Sequence, residues 1–213
     1  SAHPILNDEK TTGCSIHRID SGIDTGEIIS QIAFSIASHD NCKDIYEKYL
    51  LNGRKLTYST IDSLILDNFK SKKQATDGAS YYSKKSINYS NLVVDFSHSA
   101  LNVSAQLRAY TFRDYQLPTV EGFQIFGHSI TDTPSKGMPG AVLESTENYL
   151  KISTKDFDML LFIDKSGLLI DAVSGNNKEK VIHLLKSSHF ALNEKDQRGW
   201  TPLIISSFNG YND

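Results

Sequence analysis

The run IleAspSerGlyIleAspThrGlyGlu at residues 19–27 constrains this chain most, because it sets two acids and two turn-forming glycines between stretches of β-type sequence. Upstream, residues 14–19 (CysSerIleHisArgIle) are β-branched enough to predict a strand. Downstream, residues 27–34 (GluIleIleSerGlnIleAlaPhe) predict a second. Gly22 and Gly26 then mark places where the backbone must take a positive φ or approach something closely. A catalytic carboxylate carried on a tight inter-strand loop has this pattern.

The wider pattern TGxxIHxxDxGxDTG is met here by Thr12, Gly13, Ile16, His17, Asp20, Gly22, Asp24, Thr25 and Gly26, and it resembles the folate-dependent formyltransferase family. The resemblance implies that Asp24, which opens the AspThrGly triplet, is the catalytic carboxylate, working beside an Asn and a His from further upstream. Asp20 is expected to cap the turn through an Asx-type hydrogen bond instead. Residues 74–82 and 106–122 resemble the later part of sugar N-formyltransferases, so the likeness runs over about residues 1–164. It implies formyl-tetrahydrofolate as donor. It also implies a dTDP-linked amino-deoxy sugar, destined for surface polysaccharide such as O-antigen, as acceptor. The family's donor-binding part, with its AsnxHis pair and LeuLeuPro loop, precedes the motif strand in relatives and is missing here, so the chain is expected to begin in mid-fold. His3 is too near Asp24 in sequence to stand for the family's histidine.

Composition excludes some functions. With 22 Lys and Arg against 25 Asp and Glu the net charge is −3, which gives no broad electrostatic case for nucleic acid or an anionic membrane. The two cysteines, Cys14 and Cys42, lie outside disulfide-framework or zinc spacing, in keeping with a reducing cytoplasm and no metal. No apolar run approaches the ~18 residues of a spanning helix, and no signal peptide opens the chain.

The fold class expected is α/β, as the C-terminal part of a formyltransferase domain (1–116), then a small antiparallel β-meander (117–164) and an incomplete ankyrin-type helical segment (165–213). After the motif strands, Asp40 is expected to cap a helix carrying Ile45, Tyr49, Leu50, Leu56, Ile61, Leu64 and Ile65, with a weak point at Gly53. Residues 70–88 predict a loop, 91–96 a short strand, and 99–110 a helix with Leu101, Leu107 and Tyr110 near one face. From Pro118 to Asp164 turn residues punctuate β-type runs, with Glu121 and Gly122 as one turn. In the family such a tail often pairs subunits, which implies a homodimer.

Beyond Lys165, Leu169, Ala172 and Asn176 superpose on Leu203, Ser206 and Gly210 at a spacing of 34 residues, close to the ankyrin period of about 33. GlyTrpThrProLeu at 199–203 reads as the start of an ankyrin unit, with one extra residue expected near 187–189. The second unit is expected to stop inside its first helix, leaving Leu203, Ile205 and Phe208 uncovered and the chain truncated at both ends.

Formyl transfer needs an uncharged amine as nucleophile, stabilisation of the oxyanion and a proton path away from nitrogen. The resemblance gives Asp24 the part of pairing with the missing histidine's imidazolium and relaying or accepting a proton, for which it should be partly desolvated. Arg108, Tyr110, Phe112 and Tyr115 cluster a cation and rings within eight positions and are expected to bind the sugar nucleotide, the Arg on the diphosphate and a ring on the base. Trp200, the only tryptophan, is a candidate contact for a nucleotide or protein in the ankyrin segment. The alternative function is an ankyrin-type binding module with a catalytically inert formyltransferase remnant.

Overall fold

The computed structural model describes residues 1–211 except 76, 84, 187–191 and 197. It divides into two compact units, Ser1–Ile163 and Asp164–Asp213.

The first unit opens with a short helix, α1 (Ala2–Leu6), followed by an antiparallel hairpin, β1 (Thr11–His17) and β2 (Ile28–Ser35). Its register runs from Thr11 opposite Ser35 to His17 opposite Ile28, with a bulge between Ile16 and His17. The 24-residue helix α2 (Cys42–Ile65) then packs along both strands. Its cap is Asn41: the Asn41 side chain accepts from the Lys43 and Asp44 amides, and the Asp44 carboxylate accepts from the Asn41 N–H. Asp40, the cap expected from sequence, instead accepts from the Ala37 amide and pairs with Lys48.

Gly53 does not interrupt α2. A Cβ there would meet only Cys14 Sγ, at an ordinary contact distance of 3.9 Å. The expected apolar face is only partly used, since Ile45 and Leu56 are buried while Tyr49, Leu50, Ile61 and Ile65 are exposed.

Residues 91–96 form no strand. Helix α3 (Ala100–Tyr110) follows, with the Ser99 hydroxyl accepting from the Asn102 amide. Leu107 is buried and Tyr110 half-buried, but Leu101 is 73% exposed, because the inward face of α3 runs through Ala100, Val103 and Leu107.

That face packs on a second antiparallel sheet of β3 (Thr119–Val120), β4 (Phe123–Pro134), β5 (Val142–Ser145), β6 (Tyr149–Ile152) and β7 (Phe157–Ile163), in the order β3-β4-β7-β6-β5. Glu121 and Gly122, with φ of 49° and 82°, make the two-residue turn from β3 to β4, a geometry that matches the twist of a tight hairpin. Ile125, Leu150, Ile152, Met159 and Leu161 meet α3 in one core. Burying each such side chain stabilises by roughly 1.5–3 kcal/mol. The meander therefore shares its core with the preceding helix rather than forming a separate segment. Among the described residues all strand pairing is antiparallel.

The second unit holds α4 (Leu168–Ser174), α5 (Lys178–Leu185) and α6 (Pro202–Phe208) around Leu169, Ala172, Val173, Leu184 and Ile205. Thr201 caps α6, with Pro202 at its first turn, where a missing N–H costs nothing. Two expectations are corrected. Helix α6 closes at Phe208 on Asn209 instead of being cut short, and Ile205 is buried against α4. Leu203 and Phe208 are exposed as expected. The extra residue expected near 187–189 lies outside the described residues.

Candidate functional site

The loop between β1 and β2 is closed at its neck by the Arg18 amide donating to the Glu27 carbonyl at 2.9 Å. Asp20 organises its interior: one carboxylate oxygen accepts from the Gly22 amide at 3.0 Å and from the Thr25 hydroxyl at 2.6 Å. Those bonds, the Thr25 hydroxyl first and the Gly22 amide next, hold its carboxyl below the usual range.

Neither Gly22 nor Gly26 takes a positive φ, so close approach is what they provide. A Cβ on Gly26 would lie 1.8 Å from the Arg18 carbonyl oxygen, which no backbone shift of ordinary size relieves. The left-handed residue is Asp24 itself, at φ 55°, a conformation Asp reaches at lower cost than most residues.

Asp24 is presented from both sides. The Gln74 side-chain amide donates to the Asp24 and Gly26 carbonyls, each at 2.7 Å. His17 Nε2 stands 3.5 Å from Asp24 Oδ1. The other ring nitrogen, Nδ1, is 2.8 Å from the Arg18 carbonyl, which can only accept, so that contact orients the ring with Nε2 toward the carboxylate. Downstream residues complete the surround: Ser71 donates to Glu27 at 2.5 Å, Lys72 bridges to Ile28, and the Arg18 guanidinium lies 4.9 Å from the centre of the Phe69 ring. The expected partial desolvation is not found, since the Asp24 side chain is 86% exposed. His17 and Gln74 are the contributions that the motif alone did not assign. His17 was visible within it, at the end of the strand that leads to the loop.

Arg108, Tyr110, Phe112 and Tyr115 do not form one binding face. Arg108 lines a cleft of about 280 Å³ with Ser38, His39, Asn41, Ser104 and His128. Tyr110 packs on the buried core, and the Phe112 ring stands 4.7 Å from that of Tyr115 and 5.5 Å from that of Tyr46. Tyr115 is 77% exposed. Arg108 donates to the Asp40 carbonyl at 2.9 Å, which fixes it beyond the Ser35 end of the hairpin, whereas Asp24 lies beyond the Ile28 end. At about 3.3 Å per residue, the length of β2 alone separates them by roughly 20 Å.

His3 has a local structural use: its ring stacks on Tyr82 with centroids 4.1 Å apart. In the second unit the Trp200 ring has the Arg198 guanidinium 4.2 Å from its centre and Phe208 at 4.7 Å. Among the described residues no group of three or more His, Cys, Asp or Glu is placed to hold a metal, and no helix is long and apolar enough to cross a membrane.

Residues 3–61 match the formyl transferase family. An N-formyltransferase from Helicobacter canadensis, solved with folinic acid and dTDP-3-aminofucose, is 34% identical and superposes with a TM-score of 0.66 over 76% of this chain and 59% of its own. A sugar 3N-formyl transferase solved with dTDP and 5-N-formyl-THF is likewise 34% identical, with a TM-score of 0.67 over 78% of this chain and 59% of its own. Methionyl-tRNA formyltransferase of Coxiella burnetii is 26% identical over 151 residues, 70% of this chain and 48% of that protein. The chain thus spans about half of that curated relative and 59% of the two solved structures.

Proposed function

We propose, from the premise that this chain carries the formyl transferase family's pattern at residues 3–61, that it is part of an N-formyltransferase. In this reading it moves the formyl group of formyl-tetrahydrofolate to the amine of a dTDP-linked amino-deoxy sugar, for surface polysaccharide. The observation that carries the reading is the presentation of Asp24. A motif carboxylate is held at a loop tip by Gln74 on its backbone, lies 3.5 Å from His17 and is 86% exposed.

The donor supplies the activated formyl carbon when bound. Of this chain's residues, Asp24 and His17 are the ones that would face it, and its main binding groups belong to the preceding part of the fold in relatives. The attacking amine must be uncharged and must lose a proton as the new C–N bond forms. Asp24 accepts that proton directly, or stabilises the imidazolium formed when a neutral histidine accepts it. His17 Nε2 lies 3.5 Å from the carboxylate, and the Arg18 guanidinium is a cation on the same loop for an acceptor's diphosphate.

A methionyl-tRNA acceptor is the competing substrate within the family. A tRNA-binding surface needs phosphate-neutralising cations, and a net charge of −3 favours the small sugar nucleotide instead. We further propose that the β3–β7 sheet pairs two subunits and that the helices of residues 164–213 are ankyrin-type, offering Trp200 to a nucleotide or protein. The alternative of another class is a binding module whose formyltransferase part is inert.

The test is to supply formyl-tetrahydrofolate with either a dTDP-amino sugar or methionyl-tRNA to the protein carrying the family's donor-binding part. Formylated sugar with little formylated tRNA is the expected result. Turnover of tRNA alone rejects the sugar, and turnover of neither supports the binding module.

A further inference from the structure

We propose that the cleft formed by Ser38, His39, Asn41, Ser104, Arg108 and His128 is a second ligand site, separate from the Asp24 loop, and that it seats a small oxyanion of the phosphate class.

The cleft is built where α2 begins, α3 ends and β4 passes behind them, with Thr111, Phe126 and Gly127 completing its wall. Its chemistry is set by Arg108. One terminal nitrogen, Nη1, is spent on the Asp40 carbonyl, but Nε is buried and has no hydrogen-bond partner. Only one other buried side-chain atom among the described residues is in that position, the neutral hydroxyl of Ser153. An ionised donor withdrawn from water without an acceptor is much the more costly of the two, and the guanidinium edge is shaped for an oxyanion.

The negative charge nearest to the guanidinium is already balanced. Asp40 is buried and ion-paired with Lys48, and Asp8, which acts on Arg108 through space, is ion-paired with Lys10. Around the cleft, Ser38 and Ser104 bring hydroxyls. His39 brings an exposed imidazole. Asn41 brings the amide hydrogens that its capping oxygen leaves over. His128 Nε2 sits 2.7 Å from Ser104 Oγ and turns the far wall polar.

The volume, about 280 Å³, lies just under the ~300–1,000 Å³ of pockets that enclose drug-sized ligands. It admits a phosphate group with room to spare. With roughly 20 Å between this cleft and the Asp24 loop, the two are separate places, so the inference stands whether or not formyl transfer is the activity.

The His128 ring is an internal reporter. Its pKa is depressed to about 4 by burial and by the Arg108 cation, and an anion seated against Arg108 opposes that second cause and raises it. Inorganic phosphate is titrated into the full chain at constant ionic strength while the histidine ring protons are followed by NMR. The expected result is a saturable shift at His39 and His128, with a raised His128 pKa and binding weakened ~10-fold or more in Arg108→Met, as for loss of a charge-assisted hydrogen bond. If that variant fails to fold, His39→Gln, on an exposed side chain, decides by weakening phosphate without moving the unfolding midpoint. Replacing phosphate by dTDP separates the sources: the same His128 shift means the cleft accepts a nucleotide's terminal phosphate, and a silent His128 restricts it to the free ion. No saturable phosphate shift, or equal shifts in the Arg108→Met and His39→Gln variants, overturns the proposal.

Discussion

The Gln74 side-chain amide reaches back to the Asp24 carbonyl at 2.7 Å, tying residues far apart in sequence into one loop. Because the same nitrogen also serves the Gly26 carbonyl, it fixes the backbone on both sides of Thr25 without touching the Asp24 carboxylate. Gln74→Ala should therefore leave the chemistry of Asp24 intact but misplace it. The expected outcome is a fall in kcat of ~10-fold, up to the ~10² that a 1 Å displacement can cost, with a smaller change in KM. Steady-state kinetics on the formyl-transferring protein check this, and hydrogen exchange should be faster across residues 18–27 alone.

The two acids of the loop should respond differently to the same chemical change. Asp24→Asn removes the proposed proton acceptor and should lower the rate by about 10²–10⁴. Asp20→Asn keeps an oxygen able to accept from the Gly22 amide and the Thr25 hydroxyl, so its loss should be far smaller. Asp20→Ala, which abolishes both bonds, should fall between them. Equal losses for Asp24→Asn and Asp20→Asn would show that the loop's shape, not a proton transfer, depends on Asp24.

Much of this site was legible because its logic is local. The β1–β2 hairpin follows from β-branched runs on either side of a turn-rich loop, and the role of Asp20 follows from its distance to Gly22 and Thr25. What was not legible came from distant contacts. Gln74 lies in an irregular stretch whose sequence gives no sign of where it packs. The positive φ falls on Asp24 rather than on a glycine because Gly26 is needed against the Arg18 carbonyl. Arg108, Tyr110, Phe112 and Tyr115 looked like one cluster because they are neighbours in sequence. The end of α3 sends the first into a polar cleft, the second into the core and the third onto α2, with Tyr115 exposed against the Phe112 ring. Gly53 in α2 misled in the other direction. A helix packed along a hairpin tolerates the propensity cost of one glycine, about 1 kcal/mol.

Stability should fall in mildly acidic solution because of His128. Burial and the nearby Arg108 cation lower its pKa from 6.5 to about 4, so between those values it is neutral in the fold and protonated in the unfolded chain. Unfolding then takes up a proton. The contribution is full above pH 6.5, declines as the pH falls toward 4, and is lost below that, up to about 3 kcal/mol in all. Asp40, whose carboxyl burial raises but Lys48 and the Ala37 amide lower by more, acts in the same sense at still lower pH. Urea midpoints measured at pH 7 and pH 5 should differ clearly for the natural sequence and much less for His128→Gln, whose amide can still meet Ser104 without titrating.

Trp200 is already engaged on its ring: Arg198 covers it at 4.2 Å, Phe208 stands at 4.7 Å, and Asp196 accepts from its backbone amide at 2.9 Å. A nucleotide base stacking there must displace the guanidinium, whose hold is strengthened by its own ion pair with Asp196 at 2.7 Å. Removing the ring should therefore act first on stability. Trp200→Ala is expected to destabilise residues 164–213 by about 2 kcal/mol, less than the ~3–5 kcal/mol of a fully buried aromatic. Faster hydrogen exchange should appear in α4 and α6, while β6 and β7 stay unchanged. Binding of a dTDP-sugar, measured in parallel, distinguishes packing from recognition. Unchanged affinity leaves Trp200 as part of the helical unit's framework, whereas lost affinity with unchanged exchange in α4 makes it a ligand contact.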